Sequence, residues 1–185
     1  MVPRKPTICS LLILAILAVL PLSTSVNAAD KGYQGRVILL RDHTYFDALI
    51  SGIRKAKKEI TGCFFIFKVS EKNNGLPRKL VNELIAAKRR GVSIAFKLEQ
   101  DARGKGTVYE QNRRAAALLS EAGIKVRFDA PKTTTHVKAM VIDGRYVYMG
   151  SHNLTQSALK YNHELSVMID SAELAAEVTA YINNF

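Results

Sequence analysis

Strand-like and helix-like segments that alternate along the first two thirds of the chain most constrain its fold. The strand-like segments RVILL, ITGCFFIFKV and VSIAFKLEQ are apolar and rich in β-branched and aromatic residues. Each is followed by a segment with apolar residues at helical spacing, and two of these segments end at Gly91 and Gly123. Thr44 is predicted to cap the first helix, with Asp47 at its third position. Repeated βα units of this kind indicate an α/β fold.

The last third of the chain has a different pattern, with strand-like segments in close succession and one final helix. A hairpin begins at His136, a further strand lies in HELSVMID, and AELAAEVTAYI follows as a helix. Strands joined by such short connections pair in antiparallel fashion. The whole pattern therefore predicts a mixed β-sheet with helices on both faces. At 185 residues and 48% hydrophobic content, the chain is long enough for one such domain and too short for two of ordinary size.

The first 28 residues are typical of a secretory signal peptide. Arg4 and Lys5 precede an apolar run from Ile8 to Leu20, and small residues lead to Ala28. The alternative is a retained membrane anchor, although the run is shorter than the ~20 residues that a spanning helix needs. Cleavage after Ala28 leaves a single domain over residues 29–185, periplasmic or secreted and without stable membrane association.

The net charge favours a polyanionic partner. Without Arg4 and Lys5, 25 of the 27 basic residues remain against 16 acidic residues, a formal net charge of +9. Such a field attracts nucleic acid, an anionic membrane surface or cell-wall polymers, and a generally solvated basic surface is the alternative. Cleavage also leaves Cys63 as the one cysteine, so we expect a buried strand residue there and no disulfide.

The segment HVKAMVIDGRYVYMGSHN predicts a β-hairpin that gathers polar side chains at its open end. Asp143 and Gly144 favour a two-residue turn, and in that register His136 lies opposite Ser151. Cross-strand partners and residues two apart on one strand point to the same face. Four polar residues then share one face: His136, Lys138, Ser151 and Asn153. Asp143 has the other parity and is expected to act as a turn residue.

These residue types suit a phosphate group. Histidine can attack phosphorus or donate a proton, while lysine and asparagine can hold the phosphate oxygens. Gly150 would let a ligand approach the backbone closely, and the segment NLTQSAL could begin a helix whose free amides favour a phosphate. From these residues alone, a chance pairing of a surface histidine with a lysine is an equal alternative.

The spacing within this segment resembles a known signature. His136-x-Lys138, four residues, Asp143, six residues and then Gly150-Ser151-x-Asn153 is similar to the HxKxxxxD motif with its GSxN extension, which marks the phospholipase D superfamily. The resemblance extends over the general layout from Arg36 to the last helix. It implies a phospholipase D-like fold, phosphodiester chemistry without a metal or cofactor, and a structural role for Asp143.

The resemblance also implies a role for each polar residue of the site. His136 would be the nucleophile that forms a phosphohistidine, with Lys138 and Asn153 binding the phosphate oxygens. Ser151 would help to shape that site. Glu164 would hydrogen-bond the histidine nitrogen that is not used in attack, as the third member of a triad does; the alternative for Glu164 is an ordinary charge at the start of a strand.

The chain carries one copy of the signature, whereas the active site of the family needs two. The resemblance therefore implies a symmetric homodimer, in which His136 of each subunit faces its twin across the two-fold axis. One histidine would attack while the other protonates the leaving alkoxide, so we expect activity to fall on both sides of a pH optimum.

Small exported members with one motif resemble nonspecific endonucleases, so DNA, with RNA as a second option, is the expected substrate. Arg103 and Lys105 lie in a loop after a strand end and are predicted to bind it. Few aromatic residues other than Tyr109 occur in these loops, so we expect no stacking platform and little base specificity. A metal-dependent nuclease is disfavoured because the site has one carboxylate and Lys138 would repel a cation.

Two other functions remain open from the sequence. The first is phospholipid hydrolysis or phosphatidyl transfer, which would use the same residues but needs an acyl-chain groove or a membrane-binding surface. The second is a non-catalytic polyanion-binding protein. The complete set of His, Lys, Asn and Glu argues against simple binding.

Overall fold

The computed structural model describes Met1 and residues 32–70, 74–101, 106–130 and 132–185. Residues 2–28 of the predicted signal peptide (1–28) and two predicted substrate-binding residues, Arg103 and Lys105, lie outside the described residues. The strands are β1 Arg36–Arg41, β2 Glu59–Phe64, β3 Ser93–Leu98, β4 Lys125–Phe128, β5 Lys138–Ile142, β6 Tyr146–Gly150 and β7 Leu165–Asp170. The helices are α1 Thr44–Lys55, α2 Leu76–Arg89, α3 Thr107–Glu121, α4 Gln156–Lys160 and α5 Ala172–Asn183.

The strands form one seven-stranded mixed sheet in the order β1-β7-β6-β5-β2-β3-β4. Strands β2, β3 and β4 are parallel, as expected for βα units, and the others pair in antiparallel fashion. The α/β fold with a mixed sheet, predicted from the alternation of segments, is therefore confirmed.

Helices cover both faces of the sheet because side chains alternate along the central strands. On β5, Met140 and Ile142 belong to the large core cluster that includes α1, α2 and α3. Ala139 and Val141 point to the other face, where they pack under α5. Cys63 is fully buried on that second face, and burial raises the pKa of its thiol to about 12.

Two local predictions near the helices need correction. Helix α1 begins at Thr44 itself, with His43 in the N-cap position, and the Thr44 hydroxyl bonds the backbone of Arg41 rather than capping the helix. Strand β2 ends at Phe64, five residues earlier than predicted, because the N–H groups of Ile66 and Phe67 bond the amide side chains of Asn153 and Asn112 instead of a neighbouring strand.

The predicted register of the hairpin is wrong by one residue. Ile142 pairs with Tyr146, so the loop has three residues rather than two. Asp143 and Gly144 do form the expected tight turn with positive φ, and the Arg145 N–H donates to the Ile142 carbonyl. Arg145 is the extra residue: its carbonyl accepts from the Ser171 N–H and its guanidinium pairs with Asp170. These contacts with β7 and the start of α5 hold it out of the ladder.

Candidate active site

The start of β5 places the signature at the edge of the sheet where ligands bind in α/β folds. Lys138 pairs with Phe64, the last residue of β2, so it lies at the carboxyl end of the parallel strands. His136 precedes β5 and is exposed, whereas Lys138 is 9% exposed. The two residues therefore lie together, one open to solvent and one buried beneath it.

The ammonium group of Lys138 is in contact with His136. Its Nζ donates to the His136 carbonyl at 2.8 Å and lies 3.2 Å from the ring nitrogen Nδ1. The Phe65 ring packs against both, with its centroid 4.6 Å from that of His136 and 5.2 Å from Nζ. Burial lowers the pKa of Lys138, and the charge of Glu164 partly opposes that effect. A cation held in this way gains from a nearby anion.

Asn153 lies at the same edge and is anchored through its oxygen. Its Oδ1 accepts from the Ile66 N–H at 3.2 Å, just beyond the end of β2. The side-chain NH₂ of Asn153 is thereby turned away from that backbone group. The residues predicted to bind phosphate oxygens, Lys138 and Asn153, thus both contact the segment that follows β2.

Glu164 makes hydrogen bonds other than the predicted one to the histidine. Its carboxylate accepts from the Ser151 hydroxyl and, at 3.1 Å, from the Asn162 side chain. Ser151 in turn accepts from the Leu165 N–H at 3.0 Å. Among the described contacts of one copy there is no hydrogen bond from Glu164 to His136, and Ser151 does not face His136 as predicted. The shifted hairpin register and the pairing of β6 with β7 bring Ser151 to Glu164 instead.

Gly150 lies directly against strand β7. Its φ is +154°, and a Cβ built on it would lie 2.6 Å from the Leu165 carbonyl oxygen and 2.5 Å from the Ser166 Cα. The close approach of β7 therefore requires glycine here, and the role of Gly150 in substrate binding stays a prediction. Helix α4 begins soon afterwards, but it has only five residues, and the Thr155 hydroxyl accepts from the Ala158 N–H.

Asp143 has the contacts of a structural residue. Its carboxylate accepts from the backbone N–H groups of Lys57, Lys58 and Glu59 at 3.0, 2.7 and 3.1 Å. Burial pushes the pKa of Asp143 upwards, but the three donors together outweigh that effect and hold it below its usual range. Asp143 thus joins the hairpin turn to the start of β2, at the end of β5 remote from His136.

His152 is fully buried and does not supply a second catalytic histidine within the chain. Its Nδ1 lies 2.7 Å from the Ser166 hydroxyl and its Nε2 lies 2.9 Å from the Asp42 carbonyl. The ring stacks on Tyr45 at 4.2 Å, and burial lowers its pKa. Both ring nitrogens are therefore occupied by internal contacts.

Sequence reasoning missed Asn112, which holds the loops beneath the site together. It is fully buried on α3 and makes three hydrogen bonds: to the Phe65 carbonyl at 2.8 Å, the Phe67 N–H at 2.7 Å and the Glu99 carbonyl at 2.7 Å. Phe65 is the residue that packs on His136. A polar residue on the apolar face of α3, in line with Ala115, Ala116 and Leu119, was the signal that could have revealed it.

A pair of buried carboxyl groups was also missed. Glu99 accepts from the backbone N–H groups of Asp101, at 2.7 Å, and of Thr135, the residue before His136. Asp129 accepts from the Gln100 N–H at 3.1 Å through Oδ1, and its Oδ2 is buried. Burial and the hydrogen bond with Asp129 raise the pKa of Glu99. A proton held by Glu99 and donated to the buried Oδ2 of Asp129 would give both carboxyl groups a partner.

Two further features of the described part of the chain bear on function. No group of three or more His, Cys, Asp or Glu residues in it is arranged to hold a metal ion. None of the described helices is both long enough and apolar enough to cross a bilayer.

Comparison with known families and structures gives a consistent result. A family model described as cardiolipin synthase, PLD-like domain, matches residues 49–185. The crystal structure of a phospholipase D family member, Nuc from Salmonella typhimurium, superposes with a TM-score of 0.68 at 24% identity, over 82% of this chain and 93% of that one.

The curated relatives are larger proteins. A phospholipase D of Rickettsia bellii is 32% identical over 102 residues, which are 55% of this chain and 46% of that protein. A polyphosphate kinase of Vibrio cholerae is 26% identical over 171 residues, or 85% of this chain and 23% of that protein. The chain therefore spans less than half the length of either relative.

Proposed function

Because the chain belongs to the phospholipase D-like domain family, we propose that it is a metal-independent phosphodiesterase, and more specifically a nonspecific endonuclease that cleaves DNA. RNA is the second nucleic acid that the same chemistry admits. The observation that carries the proposal is the exposed His136 with the partly buried ammonium group of Lys138 3.2 Å from its Nδ1. This pairing supplies a nucleophile and an anion-binding cation at one point on the sheet edge.

A substrate phosphate changes the hydrogen bonds of this pair. Its oxygens accept hydrogen bonds from the Lys138 ammonium and the Asn153 NH₂, because a partly buried cation is stabilised by an anion. His136 Nδ1 is then released, and Glu164 exchanges its bond with Ser151 for one with Nδ1. The imidazole proton resides on Nδ1 in that arrangement, which leaves a lone pair on Nε2 for attack.

The reaction proceeds in two displacements. Nε2 of His136 forms a bond to phosphorus while the bond from phosphorus to the leaving oxygen breaks, and a second histidine protonates that oxygen. Water then attacks the phosphohistidine and gives its proton to the second histidine, which releases the phosphate monoester and restores Nε2. The described chain brings no second histidine to His136, so His136 of a second copy takes that role in a homodimer.

The positive net charge supports nucleic acid as the substrate. A net charge of +9 over residues 29–185 rewards a ligand with regularly spaced phosphates. Arg103 and Lys105 remain proposed substrate contacts, and removal of residues 1–28 during export to the periplasm or medium remains part of the proposal. Phospholipid hydrolysis or phosphatidyl transfer is the second candidate because the matched family description names cardiolipin synthase.

The test is degradation of plasmid DNA and of a labelled phospholipid by the purified protein in excess EDTA. The wild-type chain is compared with His136→Ala and with His43→Ala, which removes an exposed histidine elsewhere on the sheet edge. We expect DNA cleavage that survives EDTA, persists in His43→Ala and is lost in His136→Ala. Lipid turnover with intact DNA would replace the proposed substrate, and cleavage that survives His136→Ala would overturn the mechanism.

A further inference from the structure

The C-terminal end of α5 forms one wall of a cavity that contains His136. The cavity has a volume of about 510 Å³, and its lining includes His136, Val137 and the Thr133–Thr135 segment on one side. Tyr181 and Phe185 line it from the other side. The last turn of α5 is therefore part of the surroundings of the proposed nucleophile.

Tyr181 and Phe185 are both exposed beside that cavity, and Lys97 Nζ lies over the Phe185 ring, 4.2 Å from its centroid. Tyr181 is 59% exposed and Phe185 is 40% exposed, with ring centroids 5.1 Å apart and planes tilted by 59°. The backbone between them is held in place, since Ile182 is buried and its carbonyl accepts from Lys97 Nζ at 2.6 Å. The expectation of no stacking platform considered only the loops after the strand ends, whereas the fold also brings two aromatic residues at the end of α5 to the cavity.

The same turn of α5 borders a second, basic cavity. This cavity has a volume of about 190 Å³ and is lined by Ile182 and Asn183 together with three cationic residues of β3 and β4. Those residues are Lys97, Lys125 and Arg127. Lys125 and Arg127 are exposed and lie two positions apart on β4, so they point to the same face of the sheet. No Asp or Glu is among the described residues that line it.

We propose that the end of α5 is a binding track for single-stranded nucleic acid. Unpaired bases stack on Tyr181 and Phe185, and a neighbouring phosphate binds at Lys125 and Arg127. Paired bases bury their faces against one another, so a duplex cannot use the rings in this way. The continuation of the strand to a scissile phosphate at His136 rests on the proposed function. Binding along the track does not depend on that function.

The experiment measures the affinity of a fluorescently labelled single-stranded oligonucleotide by anisotropy, with its duplex in parallel. All proteins carry His136→Ala, which prevents cleavage during the measurement. Tyr181→Leu keeps an apolar side chain without a ring, and we expect it to weaken single-strand binding about 5-fold or more. Tyr181→Phe keeps the ring and should bind within about twofold of its parent.

A charge variant tests the other part of the track. Lys125→Ala combined with Arg127→Ala is expected to weaken binding and to reduce its dependence on salt concentration. The matched control is Lys88→Ala combined with Arg89→Ala, which removes two basic residues from the last turn of α2 on the opposite face of the sheet. This control should leave single-strand affinity unchanged.

Three results decide the proposal. Unchanged single-strand affinity in both Tyr181→Leu and the Lys125 and Arg127 double variant would overturn it. Conversion of a dimer to a monomer by Tyr181→Leu, seen by sedimentation, would also overturn it, because the rings would then belong to an interface between copies. If Tyr181→Leu weakens binding but the chain with His136 intact fails to cleave DNA, the track is supported and the proposed endonuclease is contradicted. The two failures are therefore distinguishable.

Discussion

Lys138 Nζ lies 3.2 Å from His136 Nδ1 and 2.8 Å from the carbonyl oxygen of the same residue. An ammonium group has donors and no acceptor, so Nδ1 accepts in this contact. A neutral His136 ring must then carry its proton on Nε2, which is the nitrogen proposed to attack. Without substrate, the ring is therefore held in the tautomer that cannot attack phosphorus through Nε2.

The first prediction is that phosphate changes this tautomer. Nitrogen-15 NMR of the imidazole, at a pH where His136 is neutral, should show the proton on Nε2 in the free protein. Addition of inorganic phosphate or vanadate should transfer it to Nδ1, as Lys138 turns to the anion. In Lys138→Met the free protein should lose its preference for Nε2–H. A ring with its proton on Nδ1 before any anion is added would contradict the prediction.

The second prediction concerns the alkaline side of the pH–rate profile. Phosphate binding requires the charged form of Lys138, and burial lowers the pKa of that group below its ordinary 10.5. Activity should therefore fall, as pH rises, at a lower pH than an exposed lysine would give. Lys138→Arg keeps a cation that does not titrate in this range, so an alkaline limb set by Lys138 should move upwards even if the rate is lower, whereas a limb set by the second histidine should not move. The measurement is kcat/KM against pH, with Lys88→Arg as control; an unmoved limb would exclude Lys138 as its origin.

The sequence was informative where the relevant contacts are local. Alternating segments predicted the βα units, and the fixed spacing from His136 to Asn153 identified residues that do lie at one edge of the sheet. The hairpin register was wrong because Asp143 and Gly144 define the turn but not the loop length. That length depends on Arg145, whose partners Asp170 and Ser171 are about 25 positions away.

Long-range partners also explain what was missed at the site. Asn112 bonds Phe65 and Phe67, which are 47 and 45 positions away, and nothing in the local sequence pairs them. Glu99 and Asp129 similarly meet through the parallel pairing of β3 with β4. The exposed aromatic pair, Tyr181 and Phe185, lies at the end of α5. The sequence predicted this helix correctly but could not place its end beside His136.

The third prediction is that Asn112 is needed for stability. Asn112→Leu keeps a similar volume but leaves the Phe67 N–H and the Phe65 and Glu99 carbonyls without their partner. Each buried group left unpaired costs about 1–3 kcal/mol, so the free energy of unfolding should fall by about 3 kcal/mol or more. Urea unfolding measures this change, with exposed Asn82→Leu on α2 as the matched control. A loss below about 1 kcal/mol would mean that water replaces the amide.

The fourth prediction follows from the proton shared by Glu99 and Asp129. Burial and the hydrogen bond with Asp129 raise the pKa of Glu99 above its ordinary 4.5. The protonated form of Glu99 therefore adds to the free energy of unfolding. That contribution is fully present below pH 4.5 and is lost as pH rises through the raised pKa. Asp129→Asn supplies an N–H donor to Glu99 at every pH, while its oxygen still accepts from the Gln100 N–H. The free energy of unfolding should therefore fall less between acidic and neutral pH than in the wild type. Urea unfolding across that range measures the difference, with exposed Glu121→Gln as control. Parallel curves for Asp129→Asn and wild type would show that Glu99 and Asp129 share no proton, and that the Thr135 backbone before His136 is held by an ordinary carboxylate.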